Sequence, residues 1–446
     1  MGADALVLPD NKVVRAHMLA ALISYWPSDP KPVESLPVVQ RSLACHVSGP
    51  LRLVEIVLPE WATNCGVGGM LLVPQEAVDE NHTNAELWRY TDWWLAAFLL
   101  LEGWHERVWE QEHGPIHSYS FRLTGWDERA WDRAWVNRIA LFLRKWVEQV
   151  SGDEALNRIG PLSKSSVHMT HDVDAVAKTL PIRLKQCGFN LFNAARSLSR
   201  GQLRQAIDRL KKAIQFMIGQ ENWWGFDQLL QYEADAGIQA TYHFYADKEP
   251  KNMKRWLLDP DYDITAPKQR ALLGQIIKYG HIIGVHPGFE TWQASNQIAA
   301  QRFLIEAAAG APVTRCRQHW LRFSWKDTWQ AQDSASLALD TTLMFNDRPG
   351  FRNSSALIWQ PHKPNQAGAL SLRAMPTLFM DSHFYDYQPM SSSERQDAML
   401  HWIRECRDVN GKAAILWHPH TLTRDYGWSD GFRDALSLIK ESMPCR

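Results

Sequence analysis

Short apolar runs alternate with helix-period segments along the C-terminal two thirds of the chain, and this alternation constrains the fold most strongly. Seven runs from Ser166 onward predict strands: SVHMTHDV at 166, ATYHFYA at 240, HIIGVH at 281, TRCRQHWL at 314, LALDTTLM at 337, LRAMPTLFMD at 372 and AAILWHPH at 413. Between most of them lie segments with helical periodicity, several of which end in glycine. Strand–helix alternation is typical of a parallel sheet. The segment from Ser166 to residue 446 is close in length to the roughly 250 residues of a (β/α) barrel, which favours that architecture.

The first 150 residues have a different pattern, and they predict a separate N-terminal α+β domain. Two short apolar runs, LRLVEIVLP and GGMLLVP, precede a helical stretch rich in tryptophan, and the chain has 22 tryptophans in all. In ERAWDRAWVNRIALFLRKWV the apolar residues recur every three or four positions, which favours a helix core over a sugar-stacking surface. Residues 151–165 combine Gly, Pro, Ser and charge and predict a linker, so the barrel domain is expected to span residues 166–446.

Composition narrows the classes of partner and compartment. A net charge of -1 and a pI near 7.0 give no electrostatic reason to expect nucleic acid or an anionic membrane as a partner. The longest apolar run, WWLAAFLLL at 93, is about half as long as the roughly 20 residues of a membrane span, and it predicts a buried helix. The N-terminal sequence lacks the pattern of a signal peptide and no CxxC is present, so a cytoplasmic protein with any metal on His and carboxylate ligands is expected.

Polar side chains follow five of the seven predicted strands at their C-terminal ends. They are Asp172 and Asp174, His286, His319, Asp381, and His418 with His420. A single histidine in such a place is commonly part of the core, but a (β/α) barrel carries its chemistry at this rim. We therefore expect these side chains to converge in one pocket.

The first predicted strand ends in two aspartates, Asp172 and Asp174, which share one face of the strand with Thr170. Two carboxylates a few ångströms apart repel unless one is protonated, a cation lies between them or the site is well solvated. An Asx turn that closes the strand is the alternative explanation. The polar residues at the other strand ends favour a cation site.

Five motifs in order, THDVD, GHIIGVHPGFET, RQHWLRF, MPTLFMD and AILWHPH, resemble those of the polysaccharide deacetylases of carbohydrate esterase family 4. The resemblance covers about residues 166–446 and implies a distorted seven-stranded (β/α) barrel. The Trp-rich region resembles the N-terminal domain of an uncharacterised branch of that family associated with surface-polysaccharide gene clusters. The implied activity is metal-dependent hydrolysis that removes an N-acetyl group from a sugar of a surface polysaccharide or its precursor.

The resemblance implies roles for three residues in the reaction. Asp172 corresponds to the catalytic base and His418 to the general acid. Arg322, in HWLRF, is the candidate for the arginine that orients the base. Asp381, which follows MPTLFM, is a further catalytic candidate.

The resemblance also implies a divalent metal ion, with zinc expected. Asp174 and His286 correspond to two ligands. Members of the family have a second histidine four residues after the first, whereas here that position is Glu290. His319 at the end of the next strand is expected to be the third ligand because zinc favours imidazole, with Glu290 as the alternative.

Two other functions remain open. Hydrolysis of a cyclic imide or of another non-sugar amide would use the same residues. A catalytically silent sugar-binding or assembly protein is favoured by the missing second histidine, but Asp172 and His418 argue against it because binding alone needs neither a base nor an acid. The expected partner is an N-acetylated carbohydrate, with no nucleic acid and no membrane span.

Overall fold

The computed structural model describes residues 6–41, 47, 49–363, 368–388 and 390–442, and the chain has an α/β fold with two sheets. The strands are β1 (Leu53–Val57), β2 (Met70–Pro74), β3 (Ser166–Val173), β4 (Ala240–Phe244), β5 (Ile282–Val285), β6 (Arg315–Cys316), β7 (Leu339–Asp340), β8 (Arg373–Ala374), β9 (Thr377–Met380) and β10 (Lys412–Leu416). β1 and β2 form an antiparallel pair, and the other eight strands form a parallel sheet.

Fourteen α-helices occur in the described residues. They are α1 (Asn11–Ala21), α2 (Lys31–Glu34), α3 (Trp93–Leu101), α4 (Trp104–His113), α5 (Trp135–Ile159), α6 (Leu180–Ser199), α7 (Leu203–Ile218), α8 (Phe226–Ala236), α9 (Met253–Leu258), α10 (Pro267–Lys278), α11 (Ser295–Ala309), α12 (Thr328–Ser334), α13 (Ser392–Asp408) and α14 (Ser429–Ser442). A helix with the length and apolar character needed to cross a bilayer is not found among them.

The parallel sheet closes on itself through one short segment of chain. Its strand order is β8-β7-β6-β5-β4-β3-β10-β9, so β8 and β9 lie at opposite edges although only Met375 and Pro376 separate them in sequence. Residues 373–380 therefore pair with β7 at their start and with β10 at their end. Pro376 lacks the N–H that would continue one ladder, which explains the break between the two strands. The predicted distorted seven-stranded barrel is confirmed, because each of the seven runs contains strand.

Two of the seven predicted strands are reduced to two residues each. In TRCRQHWL only Arg315–Cys316 is strand, and in LALDTTLM only Leu339–Asp340. The ladder between them ends because the backbone N–H of Gln318 donates to the Thr342 hydroxyl at 3.0 Å instead of to a backbone carbonyl. Beyond it, Trp320 and Leu321 have φ values of 57° and 49°, which turn the chain sharply.

The N-terminal region packs its tryptophans inward, which confirms the prediction of a helix core. All nine residues of α3 are buried, as are Trp88, Trp131 and Trp146. Part of the predicted linker is helical, since α5 runs to Ile159 with a break at Gly152. The division at residues 151–165 stays a prediction about domains.

The N-terminal region and the barrel share one apolar core. Gly103, at the start of α4, has a φ of 54°, and a Cβ there would collide with the indole of Trp325 from the barrel. Buried ion pairs also cross this contact, for example Glu106 with Arg352 at 2.7 Å. The contact is therefore closely packed rather than loosely tethered.

Three helices follow β3 before the chain returns to the sheet at β4. Of these, α8 packs against the sheet, since its Glu233 contacts His171 of β3 at 2.8 Å and Tyr242 of β4. The other two, α6 and α7, form a helical hairpin in which the two helices pack mainly against each other. A βαβ crossover needs only one helix, so the hairpin is an addition to the barrel.

Candidate functional site

Seven residues predicted at the strand ends line one cleft at the C-terminal rim of the barrel. The cleft has a volume of about 420 Å³ and is open to solvent, and its walls include Asp172, Asp174, His286, His319, Asp381, His418 and His420. Each residue lies at or just beyond the end of a strand, where the parallel sheet directs several chain segments to the same edge. The convergence expected from the strand ends is present in the structure.

Three of these side chains form a compact group of candidate metal ligands. Asp174, His286 and His319 each offer a ligand atom, and these atoms all lie within 4.8 Å of one another. Asp174 Oδ1 lies 3.3 Å from His286 Nε2 and 3.5 Å from His319 Nε2. One carboxylate and two imidazoles are a ligand set that zinc commonly takes in catalytic sites.

The second nitrogen of each imidazole is held by the protein. His286 Nδ1 donates to the carbonyl oxygen of Arg317 at 2.6 Å, and His319 Nδ1 donates to Asp259 Oδ1 at 3.4 Å. These contacts leave each Nε2 facing Asp174. Metal-ligating histidines are typically oriented in this way by a carbonyl or a carboxylate.

The charge state of Asp174 also suits a cation. Burial would raise the pKa of this carboxyl, but the neighbouring imidazoles of His286, His319 and His418 outweigh burial and hold the pKa well below its usual range. Asp174 Oδ1 is buried and has no hydrogen-bond partner among the described residues. An unpaired buried carboxylate oxygen is costly, so the residues present fit a divalent ion bound at this point.

Asp172 lies deeper in the cleft beside two basic side chains. Its Oδ1 is 3.3 Å from Arg317 Nη1 and 3.3 Å from His243 Nδ1. Burial would raise the pKa of Asp172, but the charges of His286 and Arg317 lower it overall, so the residue is a carboxylate. Burial lowers the pKa of His243 to about 4, so that imidazole is neutral.

His418 and Asp381, which follow β10 and β9, form a hydrogen-bonded pair in the cleft. His418 Nδ1 donates to Asp381 Oδ1 at 2.8 Å, and the His418 backbone N–H donates to Oδ2 at 2.9 Å. Burial would lower the pKa of His418, but the Asp381 carboxylate outweighs burial and raises it to about 9. The imidazolium therefore carries a proton at Nε2, which lies 3.7 Å from Asp174 Oδ2.

Two residues nominated from the sequence lie away from this group. Glu290 pairs with Lys254 at 2.5 Å on the surface, where both side chains are about half exposed. Arg322 lies over the rings of Phe289 and Trp292, since the turn at residues 320–321 directs it out of the cleft. The structure thus brings His319 to the ligand group and Arg317 to Asp172.

Three residues of the site were missed in the sequence. Arg317 could have been found by strand parity, because it shares the inward face of its run with His319 whereas Arg322 does not. His243 is paired in register with Asp172 across β3 and β4, which becomes visible only when the register is known. Asp259 follows α9 in an irregular segment, and no pattern in the sequence marks it.

Comparisons with known proteins returned solved structures only. No known protein family matches the sequence, and no curated protein matches it either. A protein from Mycobacterium smegmatis provisionally assigned as a polysaccharide deacetylase is 16% identical, with 63% of this chain and 85% of that chain covered and a TM-score of 0.37.

Two further solved structures are described as members of carbohydrate esterase family 4. A family 4 carbohydrate esterase from Streptomyces lividans, solved with acetate, is 11% identical over 63% of this chain and 88% of that chain, with a TM-score of 0.29. A CE4 family pseudoenzyme from Bacillus anthracis is 12% identical over 62% of this chain and 61% of that chain, with a TM-score of 0.30. These structures are of the family that the motifs resemble, but likenesses at this level assign no activity to this chain.

Proposed function

We propose that the cleft holds a divalent metal ion, with zinc expected, and hydrolyses an amide by removing the N-acetyl group of a sugar. The observation that carries the proposal is the buried, unpaired Oδ1 of Asp174 between two imidazole Nε2 atoms. A charged base and a charged acid, Asp172 and His418, flank this group. A site built only to bind sugar has no need of such a pair.

The roles of the chain's own residues follow from their positions. Asp174, His286 and His319 would hold the ion, which when bound supplies Lewis acidity toward the amide carbonyl and a water molecule. Asp172 takes the proton of the attacking water, and His418 donates its Nε2 proton to the departing amine.

The neighbours of these two groups keep them in the correct charge state. Arg317 stabilises the carboxylate form of Asp172, and Asp381 stabilises the imidazolium of His418.

A sugar of a surface polysaccharide or of its precursor is the proposed substrate. This part of the proposal comes from the order of the five motifs. The cleft supports it in size and in its mixture of polar groups with the aromatic rings of Phe192, Trp320 and Tyr387, on which a pyranose can stack.

Metal content tests the ligand set directly. After loading with zinc and removal of excess ion, the wild-type protein should retain about one equivalent by mass spectrometry of the metal, and His286→Ala should retain almost none. Glu290→Ala is the matched control, because this carboxylate lies on the surface with Lys254, and it should retain the wild-type amount. If Glu290→Ala loses as much zinc as His286→Ala and His319→Ala retains the wild-type amount, Glu290 rather than His319 is the third ligand.

Product release distinguishes the activities. Acetate should appear when the zinc-loaded protein is incubated with N-acetylated oligosaccharides or nucleotide sugars. If the protein hydrolyses cyclic imides and releases no acetate from any sugar, its substrate is an imide and not an N-acetylated sugar. A protein that retains its metal and hydrolyses neither class would be a silent binding protein, and the proposed function would be wrong.

A further inference from the structure

The hairpin α6–α7 exposes an unusual amount of apolar surface. Eleven of the 22 large apolar side chains that are exposed in the described part of the chain lie on these two helices. Monomeric soluble proteins rarely expose contiguous apolar patches of this kind unless the patch contacts another molecule or a membrane.

The exposed residues lie in stripes at helical spacing. On α7 they are Leu203, Ile207, Leu210, Ile214 and Ile218, and each is between 40% and 68% exposed. A surface helix normally turns such a stripe toward the core. Here the small or aromatic residues Ala206, Ala213 and Phe216 are buried instead, so α7 presents its apolar face outward.

The partner helix repeats this arrangement. On α6, Leu184, Leu191 and Leu198 recur every seven residues and are between 42% and 54% exposed. Residues separated by seven positions lie on one helix face after two turns. Both arms of the hairpin therefore carry an exposed aliphatic stripe.

Strong positive charge accompanies this apolar surface. Residues 180–218 contain eight Lys or Arg and a single acidic residue, Asp208, which gives a net charge of +7, although the whole chain carries -1. Arg196, Arg200, Arg204 and Lys211 are exposed, and none of the four forms an ion pair within the described ranges. The net charge of the whole chain is near zero because the cationic hairpin offsets an excess of acidic residues in the rest of the chain.

We propose that the α6–α7 hairpin is a docking surface for an anionic lipid bilayer, with its leucine and isoleucine stripes entering the interface and its Lys and Arg side chains contacting the headgroups. Interfacial helices combine an aliphatic face with basic flanks in this way, and the two contributions reinforce each other. In α7, Arg204 and Lys211 are close in helical angle to the stripe, at positions where they reach headgroups while Ile207 and Ile214 are inserted.

Charge favours this occupant over the alternatives. Two copies of the same hairpin would bring two charges of +7 together, which opposes self-association. Single-stranded nucleic acid is bound through aromatic stacking platforms, whereas both stripes consist of Leu and Ile. An anionic bilayer satisfies the charge and the aliphatic surface together.

The location of the hairpin connects docking with the cleft. Phe189, Phe192 and Arg196 of α6 also line the cleft that holds the candidate metal group. A protein docked through the hairpin would hold the cleft opening close to the bilayer surface. This inference concerns binding to lipid and does not rest on the proposed hydrolysis.

Cosedimentation of the full chain with lipid vesicles tests the proposal. The wild-type protein should sediment with vesicles that contain about a third phosphatidylglycerol in phosphatidylcholine, and much less with phosphatidylcholine alone. High salt should weaken the binding, because it screens the charges.

Three variants separate the contributions. Arg200→Gln/Arg204→Gln/Lys211→Gln should weaken binding on the order of 10²-fold, since each charge near such a surface contributes about fivefold. Ile207→Gln/Ile214→Gln should weaken it at least about tenfold by removing inserted apolar area. Ile277→Gln/Phe303→Gln removes exposed apolar side chains from other helices and should bind as the wild type does.

All the substituted side chains lie on the surface, so the thermal midpoints of the variants should match the wild type, which checks folding. A wild-type protein that fails to bind phosphatidylglycerol vesicles overturns the proposal. A wild-type dimer that Ile207→Gln/Ile214→Gln dissociates, without lipid binding, would assign the hairpin to a second copy of the chain. Equal loss in the Ile277→Gln/Phe303→Gln control would show that binding is not specific to the hairpin.

Discussion

Two clusters of buried charge occur in this protein, and they differ in how their polar atoms are paired. Where the N-terminal region meets the barrel, both oxygens of Glu106 are engaged, one by Arg352 at 2.7 Å and by Trp325 Nε1, the other by Arg352 Nε at 3.3 Å. At the rim of the barrel, Asp174 Oδ1 has no hydrogen-bond partner among the described residues, although two imidazole nitrogens face it.

This difference separates a structural cluster from a candidate site. A buried charge pair that stabilises a fold uses all its lone pairs and protons, because each one left over costs free energy. The interface cluster satisfies that rule. The rim cluster leaves a carboxylate oxygen and two Nε2 atoms directed at a common point, which is the arrangement that a metal ion completes.

The largest effect is expected at the rim. Asp172→Asn keeps the shape of the base but cannot take a proton, so kcat should fall about 10²- to 10⁴-fold. Metal content should stay at the wild-type value, because Asp172 is outside the ligand group. If acetate release is unchanged, Asp172 is not the base. If Asp172→Asn loses zinc together with activity, Asp172 takes part in metal binding, and the rim cannot be divided into ligands and base in this way.

The interface cluster should respond in stability rather than in chemistry. Arg352→Met leaves Glu106 buried without its partner and should lower the free energy of unfolding by about 3–5 kcal/mol, as measured in urea. Arg348→Met is the matched control, because Arg348 pairs with the exposed carboxylates Glu128 and Asp132, and it should cost less than about 1 kcal/mol. If the two substitutions lower the free energy of unfolding equally, the buried pair stabilises the fold no more than the exposed pair does.

Removing both charges of the buried Glu106–Arg352 pair tests the same distinction further. Glu106→Gln/Arg352→Met removes both charges and should be less destabilised than Arg352→Met alone, because no unpaired charge remains buried. A double variant that is less stable by the sum of both single effects would show that the charges do not act as a pair.

Much of the barrel could be predicted from the sequence because period and strand ends are local properties. SVHMTHDV is strand throughout, and the residues that follow the runs do converge. The strand break at Met375 and Pro376, which closes the barrel, was missed because it depends on which edge each half pairs with.

The candidate site was predictable where it followed strand parity and not where it depended on turns. His319 lies beside Asp174 and His286, whereas Arg317 rather than Arg322 contacts Asp172, because Trp320 and Leu321 reverse the chain between them. The uneven charge of the hairpin was also hidden, since a net charge averages over the whole chain.

A third prediction concerns pH and another carboxylate of the interface. Burial would raise the pKa of Glu102, but His17 and Arg107 outweigh it and hold the pKa at about 2, below the 4.5 of a free glutamate. A lowered pKa stabilises the folded state above pH 4.5, and this contribution is lost as the pH falls toward 2. The stability difference between wild type and Glu102→Gln should shrink by about 3 kcal/mol over that range. Parallel stability curves for the two proteins would contradict the pairing.

The smallest effect distinguishes the two arginines near the rim. Arg317 Nη1 donates to Thr170 Oγ1 at 2.6 Å and lies 3.3 Å from Asp172 Oδ1, while Nη2 donates to Thr377 Oγ1 at 2.9 Å. Lysine keeps the charge but not this fork, so Arg317→Lys should lower kcat about tenfold with little change in KM, because the base is held less well in position.

Arg322→Lys is the control for that substitution, since Arg322 lies over Phe289 and Trp292 and does not contact the base. Its kcat should remain within about twofold of the wild type, as is usual for a replacement that keeps the charge and leaves the site untouched. The reverse result, a loss in Arg322→Lys with Arg317→Lys unaffected, would favour the motif-based assignment over the contact geometry. It would also mean that the turn at residues 320–321 rearranges when substrate binds, because only then can Arg322 reach Asp172.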